Sequence, residues 1–402
     1  MEIIADLHIH SRHSRATSKN LSIENLEKYA KIKGIHLLGT GDFQHPVYRK
    51  EIDEFLTEDS EGILRTKSNF PFVWQTEISL MYSQNQKGRA VHLVVLSPNK
   101  ETSDKITDYL KSKGRVDYDG RPIFGISAVE FTKNLKAISE EIEIIPAHCM
   151  TPFFGIFGSK SGFSSLKECF QDQADKIYAV ESGMSADPKM LWKLNEQINI
   201  VSFSDAHSFW PWRLGREATV FDIPELTYSN IIKAIREGIG LKGTIETPPS
   251  YGKYHYDGHR KCNFSSSPEQ TKKLNGICPV CKKPLTIGVD YRVEQLAKTL
   301  NKPESAKEFY ELVPLHEIIS LYLSVSLSSK KVSALYDEII KKFPNEFQIL
   351  LHSEKEELLQ KEIPEQLAEL ILLNRKNKLE LIPGYDGEYG QILLPKKQAT
   401  LF

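Results

Sequence analysis

Histidine and carboxylate side chains stand at the ends of several short apolar runs in this chain. The first run, 2–6, leads into His8-Ile9-His10, and side chains two apart on a strand share a face, so both imidazoles point the same way. Later runs add potential ligands of the same kind: Asp42, Glu77, His92, His148, Asp205 and His207. Five imidazoles and three carboxylates make a set of mixed N and O donors that suits more than one divalent metal.

The alternative for each of these residues is a hydrogen-bonded structural role in the core. A polar group at the mouth of a buried strand is costly unless it is paired. At two places in the chain, two such residues stand on either side of a single apolar residue: His8-Ile9-His10 and Asp205-Ala206-His207. This repetition favours a metal site.

Length and composition limit the class of protein. The 402 residues, 40% hydrophobic and 26% charged, predict a globular chain of two or three domains. The net charge of −1 gives no general attraction to nucleic acid or membranes, so a DNA-binding surface must be a local basic patch. Five cysteines, an opening that leaves no room for a signal peptide and the lack of a long apolar run predict a cytoplasmic protein with no membrane partner.

The elements that must position the ligands alternate in type up to about residue 245. Short apolar runs alternate with helix-like stretches at 47–57, 127–138, 188–196 and 228–238. Seven or eight βα units of this kind predict a closed or nearly closed parallel barrel, with its chemistry at the carboxyl ends of the strands. Every ligand except His92, which lies inside its run, falls at or within two residues of such an end.

Composition divides the chain into four regions. Residues 1–245 form the predicted α/β metal domain, and a Pro- and Gly-containing linker at 247–252 precedes a compact polar module at 253–290. A helical pattern fills 291–394, and residues 395–402 are predicted to form a flexible tail.

The polar module has the cysteine spacing of a zinc ribbon. Cys262 precedes the Cys278-Pro-Val-Cys281 motif by fifteen intervening residues, and His259, in preference to His255, completes the set. A module of roughly thirty residues cannot bury enough core alone, so a structural Zn²⁺ is predicted. Its lysines and arginines suit contacts with DNA phosphates. The alternative is that these side chains are exposed to solvent and bind no partner.

Several motifs resemble those of a known family. The strand-end residues resemble the polymerase-and-histidinol-phosphatase (PHP) domain. The chain as a whole is similar to the endonuclease Q family, in which such a domain precedes a zinc module and a helical region. The similarity rests on motifs spread over nearly the full length: 39–43, 76–79, 158–163, 204–208, 252–259 and 383–387.

This resemblance implies a fold and an activity. The fold is α/β, a distorted (β/α)7 barrel of PHP type followed by the zinc-ribbon-like module and the helical region. The activity is DNA repair: an endonuclease that cuts on the 5′ side of deaminated bases (uracil, hypoxanthine, xanthine) and of abasic sites. The cofactor is Zn²⁺ at the catalytic centre as well as in the module, with Mg²⁺ or Mn²⁺ as alternatives for activity.

Two departures from the broader PHP pattern affect the metal positions. Many PHP domains have Ser-Asp-Gly where this chain has Ser14-Arg15-Ala16, and a histidine where this chain has Phe43. One of the three usual metal positions is therefore expected to be weakened, altered or empty, with His13 or His45 as candidates to compensate.

The predicted roles follow from this set. Glu77 bridges two metals, of which one is also held by His8, His10 and Asp205 and the other by His92 and His148. The third position uses His207 with Asp42. Asp205, Glu77 and His207 are the predicted catalytic residues, with water as the nucleophile.

DNA contacts are predicted from residues that follow the ligands. Arg15 is suited to bidentate phosphate binding. The loop at 151–163 carries Phe153 and Phe154, which can stack on or wedge between bases, together with Lys160. The alternative for this loop is a structural one, in which its aromatic side chains close one end of the barrel.

The last five residues, Gln398-Ala399-Thr400-Leu401-Phe402, resemble the pentapeptide with which proteins bind the bacterial sliding clamp. In that resemblance Gln398 fixes the orientation, while Leu401 and Phe402 enter a pocket.

Two rival functions remain. One is a small-molecule phosphatase of the histidinol-phosphatase type, which would not need the module, the helical region or the tail. The other is a non-catalytic scaffold that binds damaged DNA, against which the number of intact ligands argues.

Overall fold

The computed structural model describes residues 1–299 and 301–393. The predicted clamp-binding residues Gln398, Leu401 and Phe402 lie outside these described residues. Within the two described ranges, every helix is too short or too polar to cross a membrane.

The strands are short except for one long pair. They are β1 (Glu2–Asp6), β2 (Leu37–Gly39), β3 (Thr57–Glu58), β4 (Leu64–Arg65), β5 (Pro71–Gln84), β6 (Lys87–Ser97), β7 (Ile123–Phe124), β8 (Glu143–Pro146), β9 (Ala179–Glu181), β10 (Asn199–Val201), β11 (Ala218–Asp222), β12 (Leu241–Glu246), β13 (Asp257–His259), β14 (Phe264–Ser266), β15 (Glu308–Glu311), β16 (Glu380–Ile382) and β17 (Gln391–Leu393).

The helices lie between and after these strands. They are α1 (Ile23–Lys33), α2 (Pro46–Phe55), α3 (Lys100–Lys113), α4 (Ala128–Ile138), α5 (Leu166–Phe170), α6 (Pro188–Trp192), α7 (Tyr228–Glu237), α8 (Pro268–Lys273), α9 (Val289–Leu296), α10 (Leu315–Leu323), α11 (Lys330–Ile340), α12 (Lys355–Gln360) and α13 (Glu365–Arg375). Four of the helices begin with a capping side chain that accepts a hydrogen bond from a backbone N–H of the first turn. These caps are Ser22 for α1, Asn99 for α3, Ser127 for α4 and Thr227 for α7.

A mixed sheet of eleven strands carries most of the predicted ligands. Its main path runs β15-β12-β11-β1-β2-β5-β4-β3, with β6 between β5 and β8 and with β7 beside β5. β1, β2 and β5 are parallel, but β6 is antiparallel to β5 and β8, and β11 is antiparallel to β1. The predicted α/β class is confirmed, and the prediction that all strands are parallel is wrong.

The reversal between β5 and β6 has a local cause. Only Asn85 and Gln86 separate the two strands, and their φ values are 52° and 61°. Two consecutive positive φ values are what a type I′ hairpin requires, and its twist matches that of the flanking strands. A crossover helix therefore has no place here, and His92 enters the sheet on an antiparallel strand.

A second, parallel pair of strands completes the surroundings of the site. β9 pairs with β10. The N–H of Cys149, after β8, donates to Glu181 O at 2.9 Å, and the N–H of His10, after β1, donates to Ala206 O at 3.0 Å. These hydrogen bonds bring the carboxyl ends of β1, β8, β9 and β10 to one place.

The C-terminal region contains strands as well as helices. β15 pairs in parallel with β12 in the main sheet, and β16 and β17 form an antiparallel pair. One cluster of buried apolar side chains runs from Leu26 and Leu38 in the N-terminal region to Ile318 and Ile371 in the helices. The first three regions divided by composition thus share a core, and their limits stay a prediction.

A buried ion pair joins α1 to the C-terminal region. Lys33 Nζ lies 2.6 Å from Glu346 Oε1 and donates to Pro211 O at 2.9 Å. Glu346 also accepts hydrogen bonds from the Tyr336 hydroxyl at 2.7 Å and from the Leu315 N–H at 3.0 Å. The two charged side chains are 1% and 0% exposed, so these hydrogen bonds are needed to offset their desolvation.

Replacing Lys33 with Met should lower the free energy of unfolding by about 3–5 kcal/mol, because the Glu346 carboxylate is left buried without its cation. Urea unfolding followed by circular dichroism measures the loss. Lys31→Met is the matched control: it lies in the same helix, its side chain is 50% exposed, and its pairing with Glu27 should contribute less than about 1 kcal/mol. Equal losses in the two variants would contradict this prediction.

Candidate metal centre

Glu77 lies in the middle of β5 between two sets of histidines. Its Oε2 is 3.1 Å from His10 Nε2 and 3.5 Å from His8 Nε2. Its Oε1 is 2.8 Å from His92 Nδ1 and 3.1 Å from His148 Nε2. The carboxylate is fully buried. One side chain therefore connects four imidazoles that come from three separate parts of the chain.

The possible ligand atoms form two groups that share Glu77. Asp205 joins the first group, with Oδ1 3.1 Å from His10 Nε2 and 3.6 Å from His8 Nε2. Within each group the ligand atoms lie within 4.8 Å of one another, the members being His8, His10, Glu77 and Asp205 in one and Glu77, His92 and His148 in the other. The structure thus brings together the residues that were assigned to each of two metals.

The donor atoms in these groups fit divalent metal ions. His8 Nε2 is buried and has no hydrogen-bond partner in the described part of the chain, yet it lies near Glu77 and Asp205. Its other nitrogen, Nδ1, is 2.9 Å from Glu181 Oε1. A buried imidazole nitrogen without a partner is costly, and a bound metal would satisfy it. Imidazole and carboxylate together suit Zn²⁺ or Mn²⁺.

The charges at the centre hold His92, Glu77 and Asp205 in the form that binds metal, whereas neighbouring carboxylates outweigh burial and raise the pKa of His8, His10 and His148. Burial lowers the pKa of His92 to about 4, so this imidazole is neutral near pH 7. Burial alone would raise the pKa of Glu77, but its neighbours, among them the permanent cation Arg121, lower it well below the usual range. The pKa of Asp205 is likewise lowered well below its usual range, since His207 and the other imidazoles outweigh burial.

Strained turns at the strand ends aim the side chains inward. Asp42, His148 and Asp205 have positive φ values of 37°, 30° and 48°. Such conformations cost a non-glycine residue on the order of 1–3 kcal/mol and cluster at functional sites. Gly183 packs against one of them, since an added Cβ would lie 2.8 Å from His148 Cβ.

Glu181, at the end of β9, orients two of the histidines from outside the ligand groups. Its carboxylate lies 2.9 Å from His8 Nδ1 and accepts a hydrogen bond from the His148 N–H at 2.6 Å. A carboxylate on the outer nitrogen of a ligating histidine fixes the ring and raises its basicity. Glu181 was not among the ligands predicted from the sequence, where its one signal is that an acid closes the short apolar run 179–181.

Asp42, predicted as a ligand, lies behind His10. Its Oδ1 is 3.1 Å from His10 Nδ1, and its Oδ2 accepts hydrogen bonds from the Ser11 N–H at 2.7 Å and the Ser14 hydroxyl at 2.9 Å. Both oxygens are thereby engaged on the side of His10 away from Glu77. We now propose that Asp42 positions His10, as Glu181 positions His8.

The predicted third metal position is not assembled from its expected residues. His207 Nδ1 is 3.0 Å from Asp205 O, and its ring centre is 4.5 Å from that of His10. No group of three ligands among the described residues contains His207 together with Asp42. The candidates His13 and His45 stack on each other, with ring centres 4.4 Å apart, and join neither group.

Arg121 was also missed from the sequence, where it is one charged residue in a polar loop. Its Nη1 donates to Glu77 Oε2 at 2.9 Å. Its backbone N–H donates to Asp119 Oδ1 at 3.1 Å, while Asp119 Oδ2 is 3.0 Å from Arg15 Nε. Arg15, predicted to bind DNA, is therefore next to the centre with 78% of its side chain exposed.

The aromatic loop after His148 divides into two roles. Phe154 stacks on His92 with ring centres 4.2 Å apart, and its carbonyl accepts a hydrogen bond from the His92 N–H at 2.9 Å. Phe153 is 45% exposed, and Lys160 in the same loop is exposed as well. Phe154 therefore supports a predicted ligand, whereas Phe153 and Lys160 are exposed to solvent, and their contact with DNA stays a prediction.

A cleft of about 190 Å³ opens beside His148 and Asp205. Three distant parts of the chain line one wall of this cleft, with the cations Arg216 and Lys253 and the aromatic ring of Tyr389. Lys253 Nζ lies 4.6 Å from the centre of the Tyr389 ring, and Arg216 Nη1 is buried without a hydrogen-bond partner in the described residues. Burial would raise the pKa of Tyr389, but these cations lower it below its ordinary value.

The module holds a third group of possible ligands. His259, Cys262, Cys278 and Cys281 offer atoms within 4.8 Å of one another, and the alternative His255 is not among them. Cys281 Sγ is 3.1 Å from His259 Nδ1. Burial opposes ionisation of Cys278, but nearby backbone N–H groups outweigh it and lower its pKa to about 6, which favours the thiolate. Three sulfurs and one imidazole suit tetrahedral zinc.

Comparison with known proteins places this arrangement in a family. A crystal structure of the lesion-specific endonuclease PfuEndoQ from Pyrococcus furiosus is 30% identical with a TM-score of 0.87, covering 98% of this chain and 96% of that chain. A crystal structure of endonuclease Q in complex with a 27-mer duplex substrate, with an abasic lesion at the active site, is 30% identical with a TM-score of 0.88, covering 98% and 97%.

The chain belongs to the endonuclease Q family. A metal-dependent nuclease is the enzyme class of this family and the class predicted from the sequence. A family model described as the MJ0043 C-terminal domain matches residues 314–378. The Methanocaldococcus jannaschii protein MJ0043 is 35% identical over 253 residues, which are 61% of this chain but 31% of that protein, so the match spans about a third of its length.

Loss of one ligand in this member of the endonuclease Q family should change its metal content. Asp205→Asn should remove an ion from the first group. Glu181→Gln should keep the full content at saturation but weaken metal affinity about 10- to 100-fold, because it only orients the ligands. Elemental analysis and chelator titration measure both effects.

Cys281→Ser is the matched control for this measurement, since it should lose only the ion of the module. An Asp205→Asn protein with unchanged metal content would rule out Asp205 as a ligand.

Proposed function

We propose that this chain is a DNA repair endonuclease that hydrolyses the phosphodiester on the 5′ side of deaminated bases (uracil, hypoxanthine, xanthine) and of abasic sites. The observation that carries the proposal is the bridging position of Glu77 between two groups of ligands. Its support is the family, since a relative similar over 98% of this chain was solved with an abasic duplex at its active site.

We propose a multinuclear centre held by the two groups that share Glu77. Divalent ions there would make water nucleophilic near neutral pH and neutralise charge on the phosphate and the leaving group. The side chains supply the orientation: Glu77 and Asp205 stay ionised, and His92 stays neutral. His207 lies at the open side with 29% of its side chain exposed, and its Nδ1 faces the Asp205 carbonyl, which leaves Nε2 available to a water molecule or an ion.

The cleft beside the centre supports a nucleic-acid substrate. Arg216 and Lys253 give it positive charge, and Tyr389 adds an aromatic face next to Asp205 and His148. A charged phosphodiester backbone needs such cations, and an extruded nucleotide needs an apolar or aromatic surface on which to stack. A small-molecule phosphatase has no need of residues from the module and the C-terminal region in the wall of its cleft.

The finer architecture is part of the same proposal. The strands around the centre form a distorted seven-stranded barrel of PHP type, residues 1–245 are its domain, and residues 253–290 are a zinc-ribbon-like module with one Zn²⁺. Residues 291–394 form the C-terminal region. A reducing cytoplasm, which the cysteine usage predicts, would keep the three zinc thiolates reduced.

The proposed activity predicts a nick that depends on the lesion. Purified, metal-loaded protein should cut 5′-labelled duplexes that carry one deoxyuridine, one deoxyinosine or one abasic site, on the 5′ side of the lesion, and spare the undamaged duplex. Asp205→Asn should cut at least about 100-fold more slowly, because it loses an ionised ligand. Gel electrophoresis of the labelled strand resolves the position and the rate.

Asp108→Asn is the matched control, because Asp108 is a surface residue of α3 with 75% of its side chain exposed. Turnover of a generic phosphomonoester without DNA cleavage would move the function to the phosphatase class. Binding of damaged duplex without any hydrolysis would instead favour the non-catalytic scaffold that binds damaged DNA.

We also propose that Gln398, Leu401 and Phe402 bind the bacterial sliding clamp. The support is their resemblance to the clamp-binding pentapeptide together with the proposed role in repair. A chain that ends at residue 397 should lose measurable clamp affinity in surface plasmon resonance, yet cut free oligonucleotides at the rate of the full chain. Equal clamp affinity of the two chains would contradict the proposal.

A further inference from the structure

Two arginines beside the metal centre share one carboxylate. Asp119 is 7% exposed, and its Oδ2 lies 3.0 Å from Arg15 Nε. Its Oδ1 accepts hydrogen bonds from the backbone N–H of Arg121 at 3.1 Å and from that of Arg15 at 3.3 Å. Asp119 thus holds two backbone segments that are distant in the sequence, each of which carries a guanidinium group.

The loop that carries Arg121 is anchored to the strand-end loops of the centre. The N–H of Gly120 donates to His13 O at 3.0 Å, and the Gln44 side-chain amide donates to Gly120 O at 2.5 Å. A Cβ at position 120 would lie 2.1 Å from Asp42 Oδ2, so only glycine permits this close approach. The position of Arg121 relative to the centre is therefore fixed by backbone contacts.

The Arg121 guanidinium is a permanent positive charge beside the two groups of candidate ligands. Its Nη1 donates to Glu77 Oε2 at 2.9 Å, and Asp205 lies close enough to interact with its charge. It is also close enough to His207 to act on that imidazole. With 27% of its side chain exposed, it is accessible from the open side of the centre.

We propose that Asp119 positions Arg121 and Arg15 as a pair of guanidinium groups that bind neighbouring DNA phosphates. Arg121 binds the scissile phosphate beside Glu77, and Arg15, 78% exposed, binds the next phosphate along the strand. A guanidinium has five N–H donors in a planar fork that matches phosphate oxygens. Arg121 donates one of these N–H groups to Glu77, and its other N–H groups remain available to the substrate. The inference rests on the proposed DNA cleavage.

The two arginines should fail in different ways. Arg121→Gln should lower the single-turnover cleavage rate of an abasic duplex about 100-fold, because its charge matters most when negative charge grows on the phosphate. Arg15→Gln should weaken duplex affinity about tenfold and reduce the salt dependence of binding by about one released ion. Asp119→Asn should show both effects in weaker form. Rapid-quench cleavage and fluorescence anisotropy separate rate from affinity.

Arg115→Gln is the matched control on the same loop. Arg115 Nε pairs with Asp117 Oδ1 at 2.9 Å, but their side chains are 73% and 49% exposed and face solvent, so both rate and affinity should stay as in the unaltered protein. Two further measurements distinguish the role of the Arg121 guanidinium from a loss of metal. Added guanidinium ion should restore part of the rate of Arg121→Ala, and Arg121→Gln should keep the metal content of the unaltered chain.

An unchanged rate in Arg121→Gln, or a rate that falls only in proportion to lost metal, would overturn the inference. Failure of guanidinium to rescue Arg121→Ala would do the same. Arg121→Lys, which keeps the charge without the fork, provides the test should the neutral variants unfold, with an intermediate rate expected. If the unaltered chain cuts none of the damaged duplexes, the proposed function fails instead.

Discussion

The Glu77 carboxylate has to satisfy two sets of imidazoles at once, although it is fully buried in the middle of a strand. An unpaired charge in such a place would cost several kcal/mol, whereas a charge surrounded by donors or metals is stable. The strand has neighbours on both sides, which hold the backbone of Glu77 in place. Every other ligand must therefore be brought to it, and the surrounding loops and strands are arranged to do so.

The antiparallel hairpin brings His92 to Glu77 in a way that a parallel strand end cannot. Glu77 is opposite Val94 and Ser79 is opposite His92, so His92 lies diagonally beside Glu77 on the same face of the sheet. The other histidines approach from strand ends, where strained turns redirect the chain. Asp42 and Glu181 then hold the outer nitrogens of His10 and His8. The centre combines one rigid pair within the sheet with several oriented loop residues.

Local spacing predicted which residues would meet, because alternation along a strand determines which side chains share a face. It could not predict the direction of β6, since the Asn85-Gln86 turn has no glycine to mark it. It also placed Asp42 among the ligands, although hydrogen bonds to Ser11 and Ser14 hold that carboxylate on the far side of His10. These outcomes depend on contacts between segments far apart in the sequence.

Arg121, Glu181 and β15 show the same limit. Each looks ordinary in the sequence, as a loop charge, an acid after two apolar residues and a short run before the helices. Their importance comes from what they reach: Arg121 reaches Glu77, Glu181 reaches His8, and β15 extends the main sheet from the C-terminal region. The spacing of residues along the sequence cannot predict contacts that form only in the folded chain.

The module contacts the loop that follows His148, since the Ser159 hydroxyl donates to Ile287 O at 2.8 Å. Arg292, at the start of the helix that follows the cysteines, donates to the carbonyls of Phe157 and Phe163 at 3.0 and 3.1 Å. These residues belong to the loop whose Phe154 stacks on His92. The module and the helix that follows it therefore contact the same loop that packs on the candidate ligand His92, so the small polar module lies against the site.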